Sequence, residues 1–163
     1  MGSLIAGVVI AAAVFAVIGR ERVWRQFGSA DLGPVDFASL QRRTTPNDAL
    51  VCDPEHCTAK ADIAAPVYAM PAAALSALFQ QAIAGEPQLE KVAADAPQLS
   101  LRYVQRTRSM RFPDTINVSF ADLPDGTSTL LLYSRSQLGA GDAGVNRARL
   151  KRWLDLLAAA AQK

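Results

Sequence analysis

The sequence is poor in the residues that carry most enzyme chemistry at neutral pH. It has one histidine, His56, and two cysteines, Cys52 and Cys57. Neighbouring side chains diverge along an extended chain, so His56 and Cys57 in "PEHC" make a poor nucleophile–base pair. There is no GxSxG nucleophile elbow and no Gly-Lys-Ser/Thr phosphate loop, which argues against the common hydrolase and P-loop chemistries. Aromatic residues are 7% of the chain, and the formal net charge is only +2. No field strong enough to gather nucleic acid follows from that balance, and no nucleic-acid partner is expected. Runs of like charge, low-complexity tracts and internal repeats are absent as well.

What is present is apolar. Half of the 163 residues are hydrophobic, enough for one domain with a real core. The basic residues are mostly arginine, which suits fixed pairing with carboxylates. Leu4 to Ile18 carries no polar side chain. This predicts an uncleaved transmembrane anchor over 1–19, with a signal peptide cut after "Val14-Phe15-Ala16" as the alternative. Residues 20–45 read as a connector that packs, through Val35, Phe37 and Leu40, and residues 46–163 as the main domain. Sidedness is contested. Arg20, Arg22 and Arg25 after the apolar run favour the cytoplasm, whereas an isolated cysteine pair favours an oxidising compartment. The expectation is a single-pass membrane protein with a periplasmic domain.

Cys52 and Cys57 stand five residues apart in "CDPEHC", and a disulfide is the first reading. A metal site would draw on Asp53, Glu55 and His56 but lacks the usual zinc spacing, and free thiols are the third reading. No metal and no cofactor are expected.

Periodicity divides the main domain. Ala74, Leu75, Leu78, Phe79, Ala82 and Ile83 recur at helical spacing between Pro71 and Gly85, predicting a helix over 70–84. The period then falls to two. Leu99, Leu101 and Tyr103 share one face, and Ile116, Val118 and Phe120 alternate with Thr115, Asn117 and Ser119. "DLPDG" is a hairpin-type turn before the strand in "TSTLLLYSRS", and "QLEKVAA" reads as an edge strand. A last helix over 145–161 has Asn146, Leu150, Trp153, Leu154, Leu157 and Ala161 on one side, with Arg147, Arg149, Lys151 and Arg152 marking the polar side. The expected fold is α+β: a small antiparallel meander of three to four strands, with both helices on one face, preceded by a transmembrane helix.

Gly139, Gly141 and Gly144 spell GxGxxG before the last helix. A dinucleotide site needs a second parallel strand and an acidic residue about 20 positions on, and the sequence to Lys163 offers neither. The glycines read instead as a sharp strand-to-helix turn, with Asp142 as a cap or an arginine partner. "RSQLGAGDAGVNRARL" resembles the signature of domain-of-unknown-function family 1499 at Arg135, Ser136, Gly139, Asp142, Gly144, Asn146, Arg147 and Arg149. "RFPDTINVSF" resembles the strand before it, through Phe112 and Asp114, and "TTPNDALVCDPEHC" an early stretch of the family, so the likeness spans Thr45 to Leu157. Gln137 and Pro113 depart from the family pattern, which often has Arg and Asp there. With the apolar N-terminus, the chain looks like a membrane-anchored bacterial branch. The resemblance brings no established activity.

Arg135, Asp142, Asn146 and Arg147 are expected to crowd the strand-to-helix junction, with Arg111 and Asp114 near. Two readings follow: a salt-bridge and capping network that pins the last helix, which we favour, and an anion or ligand pocket. The corresponding functions are an envelope module that binds a protein, lipid or glycan partner without catalysis, and an enzyme or anion binder using an Arg/Asp site.

Overall fold

The computed structural model describes Gly7 and residues 19–162. A short helix α1 (Arg20–Arg25) leads into an irregular segment, followed by β1 (Asp48–Cys52), β2 (Ile63–Ala64), β3 (Val67–Tyr68), α2 (Ala72–Ala82), β4 (Leu89–Asp95), β5 (Ser100–Arg106), β6 (Pro113–Asp122), β7 (Ser128–Ser136) and α3 (Val145–Ala161). The strands form one mixed sheet in the order β2-β1-β7-β6-β5-β4, with β3 also pairing β7. β4 to β7 are the antiparallel meander. β1 adds to β7 antiparallel, matching Asp48 with Arg135, and β2 joins β1 in parallel.

Two expectations are corrected. The sheet has seven strands, not three to four, and it is not purely antiparallel. The added strands leave no periodic signal in the sequence, for a physical reason. β1 is a run of buried residues with no alternation, as a strand covered on both faces should be, and β2 and β3 are two-residue pairings too short to show a period. The second correction concerns the single-pass anchor. Among the described residues no helix is long and apolar enough to cross a membrane, and the apolar run from residue 4 to 18 lies outside them except for Gly7. The single-pass membrane placement is withdrawn with it.

Both main helices lie on one sheet face. Leu75 and Phe79 of α2 and Leu150, Trp153 and Leu157 of α3 are fully buried with Val51, Ile116, Val118, Leu130 and Leu132. Trp153 meets Phe79 and Tyr103 edge-on, with ring centroids 5.8 and 6.0 Å apart. Helix α2 starts without a side-chain cap of its own, and Asp122 at the end of β6 accepts the Ala72 N–H at 2.7 Å instead. The other face is covered in part. Phe37 and Leu40 pack there on Leu50, Leu131 and Tyr133, beside the disulfide between Cys52 and Cys57. This double cover explains why β7 is apolar on both faces.

Candidate functional site

The strand-to-helix corner is built by backbone geometry first. Gly139 and Gly144 sit at φ of 95° and 80°, which a side chain would strain. Asp142 then closes the exposed start of α3, its Oδ1 accepting the Gly144 N–H and its Oδ2 the Asn146 N–H at 2.9 and 2.8 Å.

Beneath this corner lies a buried polar network. Asn146, fully buried, donates from Nδ2 to Asp142 Oδ2 at 2.6 Å, to Ser136 Oγ at 3.0 Å and to the Asn47 carbonyl at 3.1 Å. Its Oδ1 accepts from Ser134 Oγ and from Arg149 Nη1, each at 2.6 Å. Arg149 is only 4% exposed, and each nitrogen of its guanidinium has a partner: Nε on Gln105, Nη1 also on Ser134, and Nη2 in an ion pair with Asp114. Asp114 is 2% exposed, so the pair is out of water on both sides. Asn47 closes the circuit by donating to the Gly139 carbonyl at 2.6 Å. The network thereby ties β1, β5, β6, β7, the glycine corner and α3 together.

The structure brings Asp142, Asn146 and Asp114 to this corner, and places the other expected residues elsewhere. Arg135 points to the opposite sheet face, because side chains alternate along β7 and Ser134 and Ser136 take the helix side. There its Nη2 donates to the Leu32 and Gly33 carbonyls at 2.9 and 3.0 Å, and the guanidinium lies 5.7 Å from the Tyr133 ring centre. Burial pulls the Arg135 pKa down. Arg147 is exposed on α3. Arg111 pairs with Glu21 of α1. Arg149, assigned from its charge to the polar side of α3, is instead buried with Asn146, Leu150 and Trp153. Its spacing from Asn146 and Trp153 placed it on that stripe, and an arginine on a buried stripe requires a carboxylate facing it.

Against the network sits a cavity of about 540 Å³. Trp24 and Phe27 close one side, Thr107 and Phe112 another, and Leu138 to Val145 the third, with Asp114 and Ser136 at its inner wall. The Trp24 and Phe112 rings lie 4.5 Å apart, and Trp24 donates its indole N–H to the Met110 carbonyl at 2.6 Å. Helix α1 is thereby fastened over the β5–β6 turn. Phe112, Asp114, Ser136, Gly139 and Asp142, which carry the family resemblance, all line this cavity.

The disulfide loop lies apart. His56 Nδ1 meets Asp53 Oδ1 at 2.8 Å, and among the described residues no group of three His, Cys, Asp or Glu could hold a metal ion.

Fold and site together define a single α+β domain whose last helix is held by a buried Arg–Asp–Asn network beside an aromatic cavity. The family model described as "Protein of unknown function (DUF1499)" matches residues 32–157, and the chain belongs to that family. No curated protein matches the chain.

Proposed function

We propose that this domain is a ligand-binding module without catalysis, and that its site is the cavity between α1 and the glycine corner. The observation that carries the reading is the state of the carboxylates on the cavity wall. Asp114 is committed to Arg149, and Asp142 to the first N–H groups of α3 and to Asn146. A general acid or base needs a group whose proton is free to move towards a substrate, whereas these groups hold the wall rigid. Apart from the hydroxyls of Thr107 and Ser136, the remaining side chains of the wall are aromatic and aliphatic, and the volume suits a small molecule with an apolar body.

The test uses N-phenyl-1-naphthylamine, an uncharged apolar fluorophore, with the full chain. Trp24 lies in the cavity wall and Trp153 in the helix core, so binding should quench tryptophan emission in the wild type and much less in Trp24→Phe. Val145→Trp, at the rim, should weaken the binding at least tenfold. A probe that fails to bind, or that binds the Val145→Trp chain as tightly, would overturn the proposal.

A further inference from the structure

The cover on the second sheet face stops short. Phe37 and Leu40 shield Leu131 and Tyr133 of β7, and Ala30 to Leu32 reach Thr115 of β6 and Arg102 of β5, but these contacts leave a groove of about 770 Å³ lined by Asn117 and Ser119 of β6, Ser100 of β5 and Ala93 to Asp95 of β4. This groove lies across the sheet from α2 and α3. Asn117, which points into the second face because Ile116 and Val118 take the helix side, is part of its floor.

Asn117 is only 5% exposed, yet its Nδ2 has no hydrogen-bond partner among the described residues. Its cross-strand neighbours do not supply one. Tyr133 gives its hydroxyl proton to Asp48 at 2.6 Å, and Arg102, which could only donate in any case, is paired with Asp31 at 2.8 Å. A buried amide N–H without an acceptor is costly, and buried polar groups in folded proteins are rarely left so. The groove is therefore built around a donor that lacks its acceptor.

The surrounding chemistry narrows what would bring that acceptor. Ser100 and Ser119 stand on the same floor, each able to give and take a hydrogen bond. Val35 and Phe37 form an apolar wall beside them. Arg102 is already paired with Asp31 and the His56 Nδ1 is held by Asp53, while Asp36 and Asp95 add carboxylates at the walls. An anionic ligand would meet carboxylates and no available cation. A neutral molecule with hydroxyls along its edge and a C–H face fits all three features. We propose that this groove is a second binding site, independent of the cavity at the glycine corner, and that it takes a neutral saccharide whose oxygen accepts from Asn117 Nδ2 while its C–H face rests on Val35 and Phe37.

The experiment titrates the full chain, labelled with nitrogen-15, with maltotriose and with N,N′,N″-triacetylchitotriose, reading backbone and side-chain amide shifts. At least one of the two should produce a saturable shift centred on Asn117, Ser100 and Ser119. Asn117→Leu should weaken that binding tenfold or more without lowering the melting temperature, since the variant removes an unpaired polar group from the sheet. Phe37→Leu keeps the cover but reduces the stacking face, and should weaken binding less. No saturable shift with either sugar, or unchanged affinity in Asn117→Leu, would overturn the proposal.

Discussion

Arg149 is the residue on which the most structure depends. It brings a charge into the helix–sheet core, and that charge is tolerated because Asp114, Gln105, Ser134 and Asn146 surround it. Removing one member of such a pair leaves the other buried and uncompensated, which costs about 3–5 kcal/mol, while removing both costs far less. Arg149→Met should therefore lower the urea midpoint sharply, and Asp114→Leu in the same chain should recover much of the loss. Arg149→Lys should behave nearly as badly as methionine, because one ammonium cannot reach four acceptors in the directions a guanidinium does. If Arg149→Met costs less than about 1 kcal/mol, the network is decoration rather than support. Arg135 shows the contrast: seven residues from Asp142 along the chain, it sits across the sheet from it, so nearness in sequence says little where side chains alternate.

At the scale of elements, the corner after β7 and the link after β1 are held by different means. The corner relies on left-handed glycines and the Asp142 cap. The link after β1 relies on a covalent closure. Cys52 ends β1, Cys57 lies in the next turn with its Cα 6.2 Å away, and both are buried. Closing so short a loop restricts the unfolded chain modestly, by about 2 kcal/mol. In a chain of this size that corresponds to a fall in Tm of roughly 4–8 °C for Cys52→Ala/Cys57→Ala, measured by calorimetry against the oxidised wild type. An unchanged Tm would mean that the buried contacts of β1, and not the bridge, hold the link. The short helix α1 is different again: it owes its place to contacts made far along the chain, through Trp24 on Met110 and Glu21 on Arg111.

The whole molecule joins these elements with carboxylate–arginine contacts that protonation dissolves. Glu86, after α2, meets Arg152 of α3 and Gln105 of β5, and the Arg152 hydrogen bond holds its pKa down at about 2, against its ordinary 4.5. Asp48 is likewise lowered: burial opposes its ionisation, but hydrogen bonds from Arg42 and Tyr133 outweigh that cost. A carboxylate with a depressed folded-state pKa stabilises the fold fully above its unfolded value, and that contribution is lost as pH falls towards the folded value. The Glu86 contribution should thus fade between about pH 4.5 and 2. Because Arg152 is half exposed, it is worth on the order of 1–2 kcal/mol and not the full value of the shift. Melts of wild type and Glu86→Gln across this range should converge as pH falls. A constant gap between the two curves would sink the assignment.

Much of the architecture was legible in local pattern. Alternation from Leu99 to Tyr103 and from Thr115 to Phe120 marks β5 and β6, and the stripe through Asn146, Leu150, Trp153 and Leu157 marks α3, because strands and helices repeat at different periods. With two cysteines in the chain there was one intramolecular bridge to form. Asp142 as a helix cap could be read from its place after Gly141 and just before the helical stripe. What only the tertiary structure decided is which surfaces meet. β1 carries no period to announce it, and its place between β2 and β7 follows from long-range pairing such as that of Asp48 with Arg135. The burial of Arg149, the turning away of Arg135, the approach of α1 to the glycine corner and the orphaned amide of Asn117 depend on register and on what covers each face. A periodic pattern says that a face exists. Its partner is chosen by loop closure and packing between segments far apart in the chain, and no local stretch of sequence contains that choice.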